Sequence, residues 1–405
     1  MSRVALLVLD SLGIGALPDA ARFGDVGANT LGHIATYCIA QRSGSGLNGA
    51  LWIPNLQCLG LGHAAQLACG AWPEGLTADA TAPTAAWGCA AERSTGKDTT
   101  SGHWEMCGVP VTFEWGYFLA QANSFPASLL DELVRRAALP GVLGNCRASG
   151  TTIIAALGEE HLRTGKPIIY TSADSVLQIA AHEQHFGLDR LYRVCEIART
   201  LVDPLNVARV IARPFLGQRS ADFVRTPNRH DYSVLPPAPT LLDRIEAAHG
   251  EVIGVGKIPD IFAQRGITRA VKAHGIDGLF QATLDAFNDA ASGSLVFTNF
   301  VDFDQEYGHR RDVAGYALAL EAFDTLLPQL LQVIGDGDLL VLSADHGNDP
   351  TWSGTDHTRE YIPILAFGPD VCAGTIGCRA SFADIGQSIA HWLGIGALDY
   401  GENFL

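Results

Sequence analysis

The chain has 405 residues, 47% of them hydrophobic and only 17% charged, which excludes a disordered chain and gives room for two or three domains. Its 43 Asp and Glu against 27 Lys and Arg leave a net charge of −16, which argues against a nucleic-acid-binding surface and means that an anionic substrate has to be drawn in locally, by metal ions or a few basic side chains. Nine scattered cysteines with no Cys-x-x-Cys pair read as reduced thiols of a cytoplasmic protein, a Cys372–Cys378 disulfide being the lesser alternative, and no apolar run reaches signal-peptide or membrane-spanning length.

Val4 to Leu9 is a continuous apolar run and reads as a central parallel strand. It ends in Asp10-Ser-Leu-Gly-Ile-Gly, which puts a carboxylate at the strand tip, either as a metal ligand or as an N-cap. Asn29 or Thr30 caps a helix through Leu31. Residues 43–50 read as a flexible loop, and 69–90 as an irregular, exposed stretch. Glu92 to Glu105 carries Thr99, Thr100 and Ser101 between glycines. Such a stretch can open a helix whose free N–H groups favour a phosphate, or it can be a plain capping turn. It is no P-loop, because Gly96-Lys97 lacks the upstream glycine and runs into Asp98.

From about 108 to 235 the texture changes to an α+β unit of its own. Amphipathic helices are expected at 126–139 and 188–201, and strands from Lys166 and from Val207. Arg209 and Arg213 lie an even number of residues apart, so both face one side of the second strand. After 240, helices and strands alternate again. Glu251 to Lys257 is a strand ending in Gly-Lys, with Lys257 either reaching a phosphate or solvated. Ser294 to Asp304 is a strand with acids at its tip, followed five residues later by His309. A helix starting at Val313 should kink or split at Pro328. The apolar run from Asp338 to Ser343 is a buried strand that delivers Asp345 and His346, and Gly347 gives the backbone the freedom to turn there. His357 follows on the return. Tyr361 to Gly368 is a strand leaving the site, and Ser381 to Asp384 looks like a capping box for a last helix.

Asp10, Asp304 and Asp345 thus sit at the ends of parallel strands, and His309, His346 and His357 follow shortly after such ends. Strand tips meet along one edge of a sheet, where ligands bind in open α/β folds. Six Asp and His groups exceed a single tetrahedral structural site and suit two catalytic ions.

These residues carry a resemblance to the bacterial phosphopentomutases, a branch of the alkaline phosphatase superfamily. It rests on Asp10-Ser-Leu-Gly-Ile-Gly, on Gly96-Lys-Asp-Thr-Thr-Ser-Gly-His-Trp-Glu and on Tyr170-Thr-Ser-Ala-Asp-Ser. It continues in Arg209-Val-Ile-Ala-Arg-Pro-Phe, Arg225-Thr-Pro-Asn-Arg-His-Asp-Tyr, Asp302-Phe-Asp-Gln-Glu-Tyr-Gly-His and Ala344-Asp-His-Gly-Asn-Asp-Pro through His357. The resemblance implies an α/β core of the alkaline phosphatase type, formed by 1–107 and 236–405, with an inserted α+β cap at 108–235. It implies an isomerase that interconverts ribose or deoxyribose 1-phosphate and 5-phosphate through a phosphothreonine, with small sugar phosphates as partners, and no nucleic acid or membrane. Two divalent ions, manganese by likeness, would be held by Asp304, His309 and His357 and by Asp10, Asp345 and His346. Thr99 would be the nucleophile, with Thr100 as a rival because the loop departs from its relatives at that position. Ser172, Asp174, Arg209, Ile211 and Lys257 resemble residues that meet the sugar phosphate. A bisphosphate activator, glucose 1,6-bisphosphate or ribose 1,5-bisphosphate, is expected. The rival readings are a phosphatase or phosphodiesterase of the same superfamily, the cofactor-independent phosphoglycerate mutase branch, and a catalytically silent metal-stabilised binding protein.

Overall fold

Apolar residues on both faces of a strand require cover on both sides. Every residue of β1 (Val4–Val8) is buried, and so is every residue of the strands on either side of it. A computed structural model describes residues 2–42, 49–76, 82–118, 120–172 and 175–405. The expected loop at 43–50 lies almost wholly outside these residues, and Asp174 lies outside them too. The remaining strands are, in chain order, β2 (Ala86–Ala90), β3 (Leu143–Arg147), β4 (Ile168–Thr171), β5 (Val176–His182), β6 (Arg209–Leu216), β7 (Val224–Arg225) and β8 (His230–Ser233). They continue as β9 (Val252–Val255), β10 (Arg269–Val271), β11 (Leu295–Asn299), β12 (Leu339–Ser343), β13 (Ile362–Phe367) and β14 (Gly374–Arg379).

Two compact units form, Met1–Phe113 with Pro236–Leu405, and Glu114–Leu235. The division falls at Glu114 and not at 108. Thr95 donates its N–H to Val111 and its hydroxyl to Phe113, and the N–H of Val111 donates to Ser94 Oγ, so 108–113 stay with the first unit.

The first unit is of the α/β class, built on an eight-stranded sheet in the order β10-β9-β11-β1-β12-β13-β2-β14. All neighbours run parallel except those of β13, which is antiparallel to both β12 and β2. β1 therefore lies between β11 and β12, all three pointing the same way. Helices Thr30–Arg42, Gly275–Asp289 and Val313–Val333 pack as one group, and Thr99–Met106, Leu241–Ala247 and Ala383–Trp392 belong to another. Among the described residues no helix is long and apolar enough to cross a membrane.

Four local expectations are corrected. Ala86–Ala90, read as irregular, is an inner strand. Its small residues permit a close approach, since a Cβ on Gly88 would lie 2.3 Å from the Gly377 carbonyl oxygen. The helix Val313–Val333 runs through Pro328 without splitting. Proline leaves the Asp324 carbonyl without its helical donor, and Asn55 Nδ2 supplies one at 2.9 Å. The Asp324 carboxylate in turn caps Pro54–Leu59 by accepting from the N–H of Asn55 and of Leu56. The expected capping box at Ser381 forms only in part: Ser381 Oγ accepts from Ala383, but Asp384 turns to Arg379 and to the N–H of Glu402. Finally, β11 stops at Asn299, so Asp304 is not at its tip.

The second unit has the sheet order β3-β4-β5-β6-β7, with β8 also pairing β6. One face is packed by helices Ala127–Arg136 and Leu188–Val202 over Leu177, Ile179, Val210 and Ala212. On the other, Ile153 and Ile154 of helix Gly150–Thr164 cover Ile168, Ala180 and Phe215.

Candidate metal centre

The C-terminal ends of β1 and β12 bring Asp10 and Asp345 side by side. Ser11 takes a left-handed backbone conformation at φ 68°, uncommon outside glycine. That twist aims its N–H at Asp345 Oδ1, 3.0 Å away. Gly347 was expected to give the backbone freedom to turn after His346, and it does so without a positive φ. What it provides is space: a Cβ there would lie 2.4 Å from Glu360 Oε1. Glu360 is buried and accepts from the N–H groups of Gly15 and Thr30 and from the hydroxyls of Thr30 and Thr358. It ties the loop after β1 to the return strand.

Asp304 lies in a single π-helical turn, Phe303–Gly308. His309 N–H closes that turn on the Asp304 carbonyl at 2.9 Å, five residues back. The wide turn is why an Asp-x₄-His spacing can converge, with His309 Nε2 3.1 Å from Asp304 Oδ2. His357 Nε2 is 3.6 Å from the same oxygen and 3.2 Å from His309 Nε2.

The imidazoles reveal what the cluster is for. His309 Nδ1 lies 2.6 Å from the Thr355 carbonyl, and His357 Nδ1 lies 3.0 Å from that of Lys97. His346 Nδ1 lies 3.2 Å from the Gly347 carbonyl. A carbonyl only accepts, so each Nδ1 carries a proton, which leaves Nε2 of each ring to offer its lone pair inwards. Two such lone pairs and a carboxylate oxygen then face one another within about 4 Å, an arrangement that asks for a cation between them. Asp10 adds to this, as it is fully buried and neither carboxylate oxygen has a hydrogen-bond partner. Burial, with Asp345 and Asp304 close by, pushes its carboxyl well above the usual range, while Lys257 pulls it down. Burial also lowers the His346 imidazole to about 4, which keeps it neutral.

Among the described residues two groups have ligand atoms within 4.8 Å of one another: Asp304, His309 and His357; and Asp10, Asp304 and His346. Asp304 thus belongs to both. Asp345 Oδ2 lies 3.2 Å from His346 Nε2, and Asp10 Oδ1 lies 3.5 Å from it. The donor types and the orphaned oxygens fit divalent cations.

Thr99 is the first residue of helix Thr99–Met106, capped by Asp98, which accepts from the N–H of Thr100 and of Ser101. Its Oγ1 lies 3.3 Å from His346 Nε2. The Ser101 hydroxyl is engaged by Asp98 at 2.7 Å. The helix can approach this closely because residue 102 is glycine; a Cβ there would lie 2.1 Å from the Asp345 carbonyl oxygen. Lys257, just past β9, is near enough to act electrostatically on Asp10.

In the second unit Arg209 opens β6 and reaches Asp231 Oδ2 at 3.9 Å. Ile211 is buried and registers with Gln178 and Asp231. Ser172 follows β4.

Sequence reasoning gave no role to His103 or Asn348. His103, four residues and thus one helical turn after Thr99, places Nδ1 3.2 Å from Asp345 Oδ2 and 2.8 Å from the Thr99 carbonyl. The helical i, i+4 spacing was the available signal. Asn348 Nδ2 donates to Asp304 Oδ1 at 2.7 Å and has no signal beyond its proximity to His346.

Comparison with known proteins agrees with this chemistry. The family described as Metalloenzyme superfamily matches residues 2–397. The chain is 59% identical over its full length to a phosphopentomutase of Tolumonas auensis, covering 99% of that protein. It is 59% identical to one of Aeromonas hydrophila and 58% identical to one of Shewanella sp. MR-4, each over the whole of both chains. Full-length identity at this level, joined to a buried cluster of carboxylates and inward-facing imidazoles, assigns the chain to the phosphopentomutase family, isomerases of the metalloenzyme superfamily that move a phosphoryl group within a sugar phosphate.

Proposed function

We propose that this phosphopentomutase works through a phosphothreonine at Thr99 beside two divalent ions, manganese by family likeness. Asp304, His309 and His357 hold one ion; Asp10, Asp345 and His346 hold the other, with Asp304 in reach of both. When bound, the ions supply positive charge next to the transferring phosphoryl group. The observation that carries this reading is the Thr99 hydroxyl, 3.3 Å from His346 Nε2 at the start of a helix.

The dipole of the helix that Thr99 opens favours the charge of a phosphorylated Thr99, while Asp98 holds the N–H groups of Thr100 and Ser101. His103 and the Ser11 N–H hold Asp345 in place. Phosphothreonine passes its phosphoryl group to one end of the sugar phosphate, giving a bisphosphate, and regains one from the other end. A sugar bisphosphate, glucose 1,6- or ribose 1,5-, primes the threonine. Lys257, Ser172, Asp174, Arg209 and Ile211 contact the sugar phosphate in this reading. The unit formed by about 108–235 acts as a cap that keeps water from the phosphothreonine. A reducing cytoplasm suits the nine free thiols.

The test is Thr99→Ala. Isomerisation of ribose 5-phosphate should vanish, bound metal should stay at the wild-type level, and incubation with a sugar bisphosphate should add no phosphoryl mass. Normal turnover, or a phosphosite mapped to Thr100, overturns the assignment.

A further inference from the structure

The stretch that leads into Thr99 is held by a side chain that the proposed chemistry does not use. Arg359, two residues after His357, is 3% exposed. Its guanidinium presents five N–H groups in a fixed planar fork. All of them find acceptors. Nε donates to Asp19 Oδ1 at 3.1 Å and one Nη2 N–H to Asp19 Oδ2 at 3.2 Å. The other Nη2 N–H donates to the Glu92 carbonyl at 3.0 Å. Nη1 donates to Glu92 Oε2 at 2.6 Å and to the Gly96 carbonyl.

Further contacts join the same two segments. The Lys97 carbonyl lies 3.0 Å from His357 Nδ1, so successive carbonyls of the loop, Gly96 and Lys97, are held from residues 359 and 357. Asp25 is buried, and its Oδ2 accepts from the Arg359 N–H and from Lys97 Nζ, each at 2.9 Å. The Phe23 ring lies near both cations, with Arg359 Cζ 5.2 Å and Lys97 Nζ 5.6 Å from its centroid. What this fixes is the entry to helix Thr99–Met106. A Cβ on Gly96 would lie 2.6 Å from Asp98 Oδ2 and 2.9 Å from Ser101 Oγ. A shift of the Gly96 backbone is therefore passed to Asp98, whose carboxylate holds the N–H groups of Thr100 and Ser101. Close packing transmits such a shift and does not absorb it.

We infer that Arg359 is a positioning residue for phosphoryl transfer, which locks the loop leading into Thr99 to the segment that carries His357, so that the threonine hydroxyl meets the metal centre at a fixed place. The inference rests on the phosphothreonine reading proposed above. Arg359 acts on rate and not on metal affinity, because none of the groups accepting from its guanidinium is a candidate metal ligand. A nucleophile displaced by about 1 Å can lose on the order of 100-fold in rate.

The test compares wild type with two variants. Arg359→Lys keeps the charge and loses the fork. The double variant Arg359→Met with Glu92→Gln removes the buried pair as a whole, since taking out the guanidinium alone would strand a Glu92 side chain that is 2% exposed. At saturating manganese, kcat for isomerisation of ribose 5-phosphate should fall about 10- to 100-fold in both, with KM within about threefold of wild type. The rate at which glucose 1,6-bisphosphate adds phosphoryl mass to the protein should fall as kcat does, and manganese affinity, by competition with a chelator, should stay within about threefold. An ion pair that serves the fold alone would cost stability and leave kcat of the folded, loaded protein unchanged. A kcat loss of less than about tenfold in folded, manganese-saturated Arg359→Lys therefore overturns the inference, and so does a change confined to KM or to manganese affinity. If Arg359→Lys does not fold, the double variant decides alone on the same criteria. Mapping the phosphosite in wild type keeps the two proposals apart: phosphate on Thr100 sinks the Thr99 assignment, while the kcat of Arg359→Lys still decides whether the loop is held for transfer.

Discussion

Replacing Asp10 by asparagine should have opposite effects on the metal-free and the metal-loaded protein. His346 Nε2 is 3.5 Å from Asp10 Oδ1 and 3.2 Å from Asp345 Oδ2, so the two carboxylate oxygens are at most about 7 Å apart. Two unit charges at that distance repel by about 2 kcal/mol at an effective dielectric of about 20. Asp304 adds to the repulsion, and Lys257 and Asn299 offset only part of it. In metal-free protein Asp10→Asn should therefore be neutral or stabilising by about 1–2 kcal/mol at pH 8. In loaded protein it removes a ligand and should weaken metal binding by about 100-fold or more, lowering stability by about 3 kcal/mol through linkage. The pH dependence has a definite sign. A carboxyl whose pKa is raised on folding contributes stability that is fully present below the unfolded value near 3.9 and lost as pH rises through the folded value. Metal-free wild type should thus lose stability with rising pH from this group, and Asp10→Asn should flatten that slope. Urea unfolding with EDTA and with saturating Mn²⁺, from pH 6 to 9, reads both effects. A variant destabilised equally under both conditions would refute the picture of Asp10 as a carboxylate awaiting a cation.

Two further substitutions test how the site and the core are supported. Asn348→Ala frees Asp304 Oδ1 and should cost about 10- to 100-fold in metal affinity, measured by competition with a chelator, while Thr99 is still phosphorylated at saturating metal. Asp324→Ala removes the acceptor for two N–H groups of helix Pro54–Leu59 and one anchor of Asn55; it should cost about 2–3 kcal/mol in urea unfolding with the metal site intact, and a cost near zero would show that the helix end needs no cap.

Much of the parallel core could be read from the chain because its strands are apolar runs that stop at an acid. Val4–Val8 ending in Asp10, and Leu339–Ser343 delivering Asp345 and His346, follow from hydrophobic continuity alone. Ala86–Ala90 could not be read this way, because close packing against its neighbour demands small residues, and small residues in sequence resemble a loop. The π-turn holding Asp304 escaped for a related reason. The apolar pattern of β11 runs on through Phe300, Val301 and Phe303, so the strand seemed to extend to the acid itself. Pro328 was expected to break its helix because a proline removes a local bond, and nothing local shows that Asn55, from another helix, replaces it. His103 and Asn348 serve ligands far away in sequence, so only coordinates bring them to notice.

The reversed direction of β13 has a consequence for how the centre assembles. Because β13 runs back alongside β12, the chain that departs with Asp345 and His346 re-enters the sheet at the rim it has just left. His357 is carried round with it, and the Gly347–Thr358 bridge pinches this excursion shut next to both imidazoles. Three candidate ligands therefore arrive on one hairpin whose ends are zipped together. His357 belongs to one group of possible metal ligands and His346 to the other, so this one hairpin serves both.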